Sequence, residues 1–204
     1  VVLINASGPD FCTGQDVKEL ARGGQKKSDY FEPVYAALKR NYKPTICAVR
    51  GLCLAGGAGI AMGSDIRILA ESARWGWPHA KIGISSIGAP STLARMIPMN
   101  IALEYMFTGE YMDAPKALAL NLANHVVKEE ELEAFAQTMV EKILANAPLS
   151  TRASKKATLQ TQHLPYAEAV SESHKILDDL ILSNDAKEGM RAFMEKRSPV
   201  WTAS

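Results

Sequence analysis

Residues 45–65 read Thr-Ile-Cys-Ala-Val-Arg-Gly-Leu-Cys-Leu-Ala-Gly-Gly-Ala-Gly-Ile-Ala-Met-Gly-Ser-Asp, and this stretch decides the fold. Its first five residues form an apolar run after Lys43-Pro44 that is typical of a buried strand. Gly56-Gly57 then opens a small-residue run to Gly63 that predicts a buried helix. Backbone N–H groups at such a helix N-terminus favour negative charge, and glycine lets a ligand approach closely. The glycines alone leave two interpretations open, a ligand-binding turn or tight packing of the helix on a sheet.

The size, composition and charge of the chain exclude several classes of protein. The chain has 204 residues, 47% of them hydrophobic, which is enough for one domain with a full core, or one domain with a helical extension. Its 23 basic and 22 acidic residues nearly balance, so no strong field favours nucleic acid or an anionic membrane. No apolar run approaches the roughly 20 residues of a membrane span. We therefore expect neither nucleic acid nor a membrane as a partner.

The cysteines indicate the cellular compartment of the protein, and the first residues indicate whether the N-terminal portion is present. Cys12, Cys47 and Cys53 are odd in number and lack CxxC spacing, so we expect reduced, buried thiols of a cytoplasmic protein and no metal site. The chain begins with Val1 inside a strand-like run over residues 1–4. We expect an N-terminal portion to be missing from this sequence.

Strand-like and helix-like segments alternate up to about residue 129, and only helical patterns follow. This order predicts an α/β core over residues 1–129 and a C-terminal helical subdomain over residues 130–204. Asp16 is predicted to cap a short helix through Leu20. An amphipathic helix is predicted over residues 30–41. Further strands are predicted over residues 1–4, 66–70, 74–77 and 124–127, and further helices over residues 91–96, 100–108, 150–161, 166–183 and 185–196.

Two glycine-containing segments, residues 11–20 and residues 48–66, together resemble one known family. The chain resembles the crotonase, or enoyl-CoA hydratase/isomerase, superfamily over essentially its whole length and in the right order. Members usually carry a further strand and helix before the position of Val1. The matching segments are Phe11-Cys12-Thr13-Gly14-Gln15-Asp16-Val17-Lys18-Glu19-Leu20, Ala48-Val49-Arg50-Gly51, Gly56-Gly57, Asp65-Ile66, Ala73-Arg74-Trp75-Gly76, Leu93-Ala94-Arg95, Thr108-Gly109-Glu110 and Glu188-Gly189-Met190-Arg191-Ala192-Phe193-Met194-Glu195-Lys196-Arg197.

The resemblance implies a fold of stacked β-β-α turns and a C-terminal region used for trimerisation, so we expect a homotrimer or a dimer of trimers. It implies an enzyme of fatty-acid metabolism that acts on an acyl-CoA thioester and needs no cofactor beyond the coenzyme A of that substrate. The thioester enolate would be stabilised in an oxyanion hole made by the backbone N–H groups of Gln15 and Gly56.

The chain departs from the family at the two positions that handle protons. Hydratases place glutamates where this chain has Gly59 and His79, so the two-glutamate hydration mechanism does not transfer. His79 is a candidate general acid or base, because imidazole titrates near neutral pH, although a polar wall residue is the alternative.

Other residues take roles only through the resemblance. Ser86 lies in the loop that contacts the reacting acyl group, where binding of water or of a polar substrate group is favoured over a nucleophilic role. Trp75 and Trp77 are predicted to face opposite sides of their strand, one towards the acyl pocket and the other towards the core. The remaining substrate- or CoA-binding candidates are Asp16, Lys18, Gly57, Trp77, Phe193 and Lys196.

Two hypotheses of different classes follow. The first is an acyl-CoA enzyme of the crotonase type, nominally an enoyl-CoA hydratase or isomerase and so a lyase or isomerase. Gly59 and His79 put simple hydration in doubt and leave isomerisation, hydrolysis, decarboxylation or C–C cleavage through the same enolate as the other reactions. The alternative is a non-catalytic CoA-thioester-binding or assembly subunit. A Rossmann dehydrogenase is disfavoured, because Gly56-Gly57-Ala58-Gly59 lacks the GxGxxG spacing.

Overall fold

The apolar run that opens the decisive stretch forms a fully buried strand, Thr45–Val49. It is one element of a computed structural model that describes residues 1–23, 34, 36–38 and 40–204. The helix predicted over residues 30–41 falls largely outside the described residues. Strand assignments are β1 Val2–Ile4, β2 Thr45–Val49, β3 Leu52–Leu54, β4 Ile66–Ala70, β5 Arg74–Gly76, β6 Tyr111–Asp113 and β7 His125–Val127.

The described helices follow the predicted ones within a few residues. One 3₁₀ segment, Glu129–Glu131, precedes the C-terminal helices. A second, Asp178–Leu182, lies between the last two of these helices and replaces the end of the helix predicted over residues 166–183. Helix assignments are α1 Val17–Ala21, α2 Gly56–Gly63, α3 Ala89–Met96, α4 Met99–Thr108, α5 Ala114–Ala119, α6 Leu132–Leu144, α7 Pro148–Thr161, α8 Tyr166–Leu177 and α9 Asn184–Glu195.

The strands make two sheets, in the mixed α/β class that the sequence predicts. One has the order β1-β2-β4-β7, with β4 parallel to both β2 and β7 and with Ile46 opposite Ile66. The other has the order β3-β5-β6, in which β5 runs parallel to β3 and antiparallel to β6. Strand β3 lies inside the glycine stretch and escaped prediction, because three residues are too few for a recognisable period.

The prediction that Trp75 and Trp77 face opposite sides is wrong. The two rings stack with centroids 6.2 Å apart and an angle of 27° between their planes. Side chains two residues apart in an extended chain point to the same face, so the prediction misapplied the alternation. Both rings are buried in one apolar core, where Met62, Leu93 and Met112 are also buried. Even so, only Trp77 also borders the cavity described below.

The chain divides into two compact units. One comprises Leu3–Arg40 and Thr45–Gln137, and the other comprises Val1–Val2, Asn41–Pro44 and Thr138–Ser204. The predicted boundary at residues 129 and 130, and the trimerisation role of the C-terminal part, stay predictions.

In the second unit, the C-terminal tail is tied to the last helix. The carboxylate of Asp185, at the start of α9, is buried and accepts hydrogen bonds from the backbone N–H groups of Thr202 and Ala203. The carboxylate of Glu188 accepts hydrogen bonds from Arg197 and Arg191, and these donors lower its pKa below the usual range of a glutamate. These bonds order the chain end against α9.

Candidate active site

The segment that carries Gln15 is laid along strand β3. The backbone N–H of Cys12 donates to the Leu52 carbonyl at 3.1 Å, and the N–H of Leu54 donates to the Cys12 carbonyl at 2.8 Å. This ladder carries the chain past the start of α2, so that residues 14 and 15 arrive beside the glycine pair. The motif at residues 11–20 and the decisive stretch are therefore neighbours in space.

Glycine is required on both sides of this contact. A Cβ at Gly57 would stand 2.2 Å from the Cys12 carbonyl oxygen, and a Cβ at Gly14 would stand 2.8 Å from the Ala55 Cβ. Gly14 also has a φ of +96°, a region that L side chains rarely adopt. Ala55, directly before α2, has a φ of 52° and a ψ of −113°. Strained backbone of this kind is characteristic of functional turns.

All five predicted catalytic residues border one cavity of about 500 Å³. Its polar and glycine lining includes Gln15, Gly56, Gly59, His79 and Ser86, and Trp77 contributes to its wall. Most of the other lining residues are apolar or glycine, as expected of a pocket for a small organic group. Further lining residues are Thr13, Val17, Leu20, Ala36, Arg40, Ala55, Met62, Gly63, Pro78, Ile82, Ile84, Ile87, Gly88, Ala89, Ser91 and Thr92.

His79 sits on a short 3₁₀ helix, Pro78–Ile82, that sequence reasoning did not predict. Pro78 begins this helix, and Gly83, with a φ of 72°, ends it in the left-handed conformation. Lys81 of the same helix forms an ion pair with Glu110, with 2.9 Å between Nζ and Oε1. The turn thus holds His79 at the cavity wall instead of letting it follow strand β5.

Ser86 has a structural task in addition to bordering the cavity. Its Oγ accepts a hydrogen bond of 3.1 Å from the backbone N–H of Ala89, the first residue of α3. This bond satisfies one of the amide groups that a helix start leaves unpaired. Capping explains a serine at this position, and a direct contact with the acyl group stays a prediction.

Buried polar atoms without hydrogen-bond partners concentrate around the cavity. Within the described part of the chain, neither Oε1 nor Nε2 of Gln15 has a partner, and neither does the indole nitrogen of Trp77. Each such buried group costs about 1–3 kcal/mol of folding free energy. Groups of this kind are typical of sites where a polar ligand or a reacting group is accommodated.

Two ionisable side chains border the cavity in the described part of the chain, His79 and Arg40, and neither is a carboxylate. The described lining contains no aspartate or glutamate. General acid–base chemistry at this site therefore has His79 as its protein candidate.

Several predicted binding residues lie outside the cavity lining. Asp16 caps α1, its carboxylate accepting a 2.8 Å hydrogen bond from the Lys18 N–H, as predicted for a cap. Gly57 is buried against Cys12. In the other unit, Phe193 is 85% exposed, and Lys196 ends α9 in the left-handed conformation. A contact of any of these residues with CoA stays a prediction.

Sequence reasoning missed the apolar wall of the cavity and its arginine. Ile82 ends the 3₁₀ helix that carries His79, and Ile84 and Ile87 lie in the loop that contains Ser86, where isoleucines recur at short intervals. Nothing in the sequence indicates that Arg40 borders the cavity, because a single arginine near the end of a predicted surface helix is expected to point into solvent. The contact that brings it to the cavity is a tertiary one.

Thiol chemistry is suppressed in the core beside this site. Burial raises the pKa of Cys47 to about 12 and raises that of Cys53 well above its ordinary value. Within the described part of the chain, no cluster of three or more His, Cys, Asp or Glu residues is arranged to hold a metal ion. No described helix is both long and apolar enough to cross a bilayer.

The fold is that of the crotonase superfamily, as comparison with known proteins shows. The chain belongs to the enoyl-CoA hydratase/isomerase family, whose model matches residues 1–204. It is 36% identical over 205 residues to enoyl-CoA hydratase EchA19 of Mycobacterium tuberculosis, covering 97% of this chain and 77% of the relative. It is 32% identical over 205 residues to (E)-benzylidenesuccinyl-CoA hydratase of Thauera aromatica, covering 98% and 80%.

Solved structures give the same result for the fold. The crystal structure of enoyl-CoA hydratase EchA1 from Mycobacterium marinum superposes with a TM-score of 0.88 at 33% identity, covering 99% of this chain and 80% of that one. The predicted crotonase-like architecture and the predicted family are thereby confirmed. The roles of individual site residues stay predictions.

Proposed function

We propose that this chain binds an acyl-CoA thioester in the cavity and stabilises its enolate between the backbone N–H groups of Gln15 and Gly56. The observation that carries the proposal is the contact of the two glycine motifs, which sets residues 14 and 15 against the N-terminus of α2. An oxyanion hole needs two donors aimed at the oxygen where charge develops. The Gln15 N–H makes no hydrogen bond to another residue of the described part, so it is available to a ligand.

The proton-handling group in this proposal is His79. The family's two glutamate positions are occupied by Gly59 and His79, and the described lining supplies no other carboxylate. A glycine cannot activate water, so simple hydration by two glutamates is not the reaction we propose. His79 would remove or return a proton next to the thioester carbonyl, a step that typically contributes about 100- to 10,000-fold in rate.

The reaction class that fits a single base beside an oxyanion hole is an isomerisation, hydrolysis, decarboxylation or C–C cleavage through the enolate. Relatives of similar identity do not select the acyl group. Two of them carry names for different substrates, an enoyl-CoA and (E)-benzylidenesuccinyl-CoA. The acyl group must therefore be inferred from the cavity of this chain.

A second candidate function is a CoA-thioester-binding subunit without activity. The observation that favours it is the same lack of carboxylates among the described lining residues. It predicts that acyl-CoA binds and that no thioester turns over.

The binding of CoA and the assembly state complete the proposal. We infer that Lys18 lies near the nucleotide of a bound CoA, since it occupies the matching family position. Phe193, which is exposed, and Lys196 occupy the family positions that contact the adenine and phosphate of a CoA molecule, and we infer that role for them. We also infer a homotrimer or a dimer of trimers. Light scattering of the purified protein tests the assembly, because a monomeric mass contradicts it.

The experiment that tests the function is a screen of acyl-CoA thioesters for both binding and turnover. Turnover of at least one thioester, reduced at least 100-fold in His79→Ala with binding retained, supports the enzyme. Binding without any turnover supports the subunit, and absence of binding contradicts both. Lys187→Ala, on the exposed part of α9 outside this cavity, serves as the control substitution.

A further inference from the structure

Arg40 brings a positive charge to the cavity, and the proposed function assigns no role to this side chain. Arg40 borders the cavity, and no ion pair or hydrogen bond joins its guanidinium to another residue of the described part of the chain. The side chain is exposed, so its charge needs no buried counter-ion. A cation at a cavity whose described lining has no carboxylate is a site for an anionic ligand group.

The position of Arg40 along the cavity follows from helix α2. This helix has 8 residues, and at 1.5 Å per residue its two ends lie roughly 10 Å apart. Gly56, one of the proposed oxyanion donors, stands at the first end, and Gly63 stands at the other. Both glycines border the cavity. The cavity therefore extends along the helix from the site of the thioester carbonyl to the Gly63 end.

Leu38 anchors the Arg40 segment at the Gly63 end. A Cβ added at Gly63 would stand 2.9 Å from Cδ1 of Leu38, so the leucine side chain packs directly on that glycine. Arg40 follows Leu38 by two residues and borders the same cavity. Arg40 therefore borders the cavity near its Gly63 end, remote from the oxyanion hole.

We infer that the substrate's acyl group carries a carboxylate at the end remote from the thioester, and that Arg40 binds it. The ligand class is a monothioester of CoA with a dicarboxylic acid. This inference rests on the proposed function and deepens it, since it names what fills the acyl end of the same site. A guanidinium binds a carboxylate through two parallel N–H donors, which fixes the far end of the chain as well as attracting it.

The test compares two saturated thioesters that differ only at the acyl terminus. Isothermal titration calorimetry measures the affinity of the intact protein for glutaryl-CoA and for pentanoyl-CoA, and then for adipyl-CoA and hexanoyl-CoA. We expect the acidic member to bind about 10- to 100-fold more tightly at one of these lengths at least, as for hydrogen bonds to a charged group.

Variants assign that preference to Arg40. In Arg40→Gln we expect the affinity for the acidic thioester to fall by the same factor, while the affinity for the neutral thioester stays within about twofold. Arg40→Lys keeps the charge without the paired donors and should retain part of the preference. Arg95→Gln removes an exposed arginine of α3 that does not border the cavity, and it should retain the preference fully.

The outcomes separate this inference from the proposed function. Equal affinities within both pairs in the unsubstituted protein overturn the inference, and so does a preference that survives Arg40→Gln. In either case binding of the neutral thioesters leaves the proposed function standing. If none of the four thioesters binds, the proposed function fails and the inference fails with it.

Discussion

Gly14 lies against the backbone nitrogen of Gly56, because a Cβ added to Gly14 would come within 3.2 Å of that nitrogen. The two residues are 42 positions apart in the chain and belong to the two glycine motifs. Their contact sets the Gln15 backbone next to the first turn of α2. The proposed oxyanion hole depends on this relationship more than on any side chain.

Replacing Gln15 by proline tests the backbone donor itself, since proline has no N–H. We expect Gln15→Pro to lower kcat/KM about 100- to 1000-fold relative to Gln15→Ala, which keeps the N–H. The measurement is turnover of a thioester that the unsubstituted protein accepts. Circular dichroism of both variants checks that they are folded. Equal activity of the two folded variants would remove the Gln15 N–H from the mechanism.

Gly57→Ala should destabilise the protein, because the new Cβ would stand 2.2 Å from the Cys12 carbonyl oxygen and a backbone atom cannot move aside cheaply. We expect a loss of about 3 kcal/mol in the free energy of unfolding, measured by urea denaturation. Gly8→Ala is the matched control, because its nearest neighbour would be an oxygen at 4.0 Å. It should change stability by no more than about 0.5 kcal/mol. Equal stability of the two variants would contradict the close packing at Gly57.

Two substitutions of Asp16 distinguish a role in capping α1 from a role in binding CoA. Asp16→Ala removes the acceptor for the Lys18 N–H and should cost about 1 kcal/mol, whereas Asp16→Asn keeps an acceptor and should cost only a few tenths. Thermal denaturation measures both effects. If the carboxylate also contacts CoA, Asp16→Asn should raise the Kd for acyl-CoA without changing stability. An unchanged Kd would remove Asp16 from the binding residues.

The cysteines should differ in reactivity towards a thiol reagent. Only the thiolate reacts, and burial raises the pKa of Cys47 to about 12 and that of Cys53 well above its ordinary value. Both therefore stay protonated at pH 8, whereas Cys12 is partly exposed. Titration with a disulfide reagent should label one thiol of the 3 in the native protein and all of them in denaturant. Rapid labelling of two or more thiols in the native state would contradict this core.

Much of the fold could be predicted from local patterns, and the reasons are physical. The apolar run at residues 45–49 and the glycine pair at 56 and 57 indicate a strand and a helix on their own, and the structure has both. Strand β3 and the 3₁₀ helix that carries His79 escaped prediction, because each is too short for a period and is formed by tertiary contacts. Helices α3 and α7 each begin two residues before the predicted start, and both end where predicted.

Some residues of the candidate site could likewise be predicted from local motifs, and others could not. Gln15, Gly56 and His79 were found through motifs that are continuous in the sequence. Arg40 and the isoleucine wall could not be found, because their approach to the cavity depends on how distant segments pack, as Leu38 does on Gly63. The stacking of Trp75 on Trp77 was predictable from strand alternation and was predicted wrongly.

The central claim is that the chain forms a thioester enolate with His79 as the base. The most direct measurement is exchange of the α-protons of bound glutaryl-CoA and pentanoyl-CoA with deuterium, followed by NMR in D₂O. The account predicts exchange catalysed by the unsubstituted protein and a loss of about 100-fold or more in His79→Ala, with thioester binding retained. A folded protein that binds these thioesters without catalysing exchange, or a His79→Ala variant that exchanges at the original rate, would contradict it.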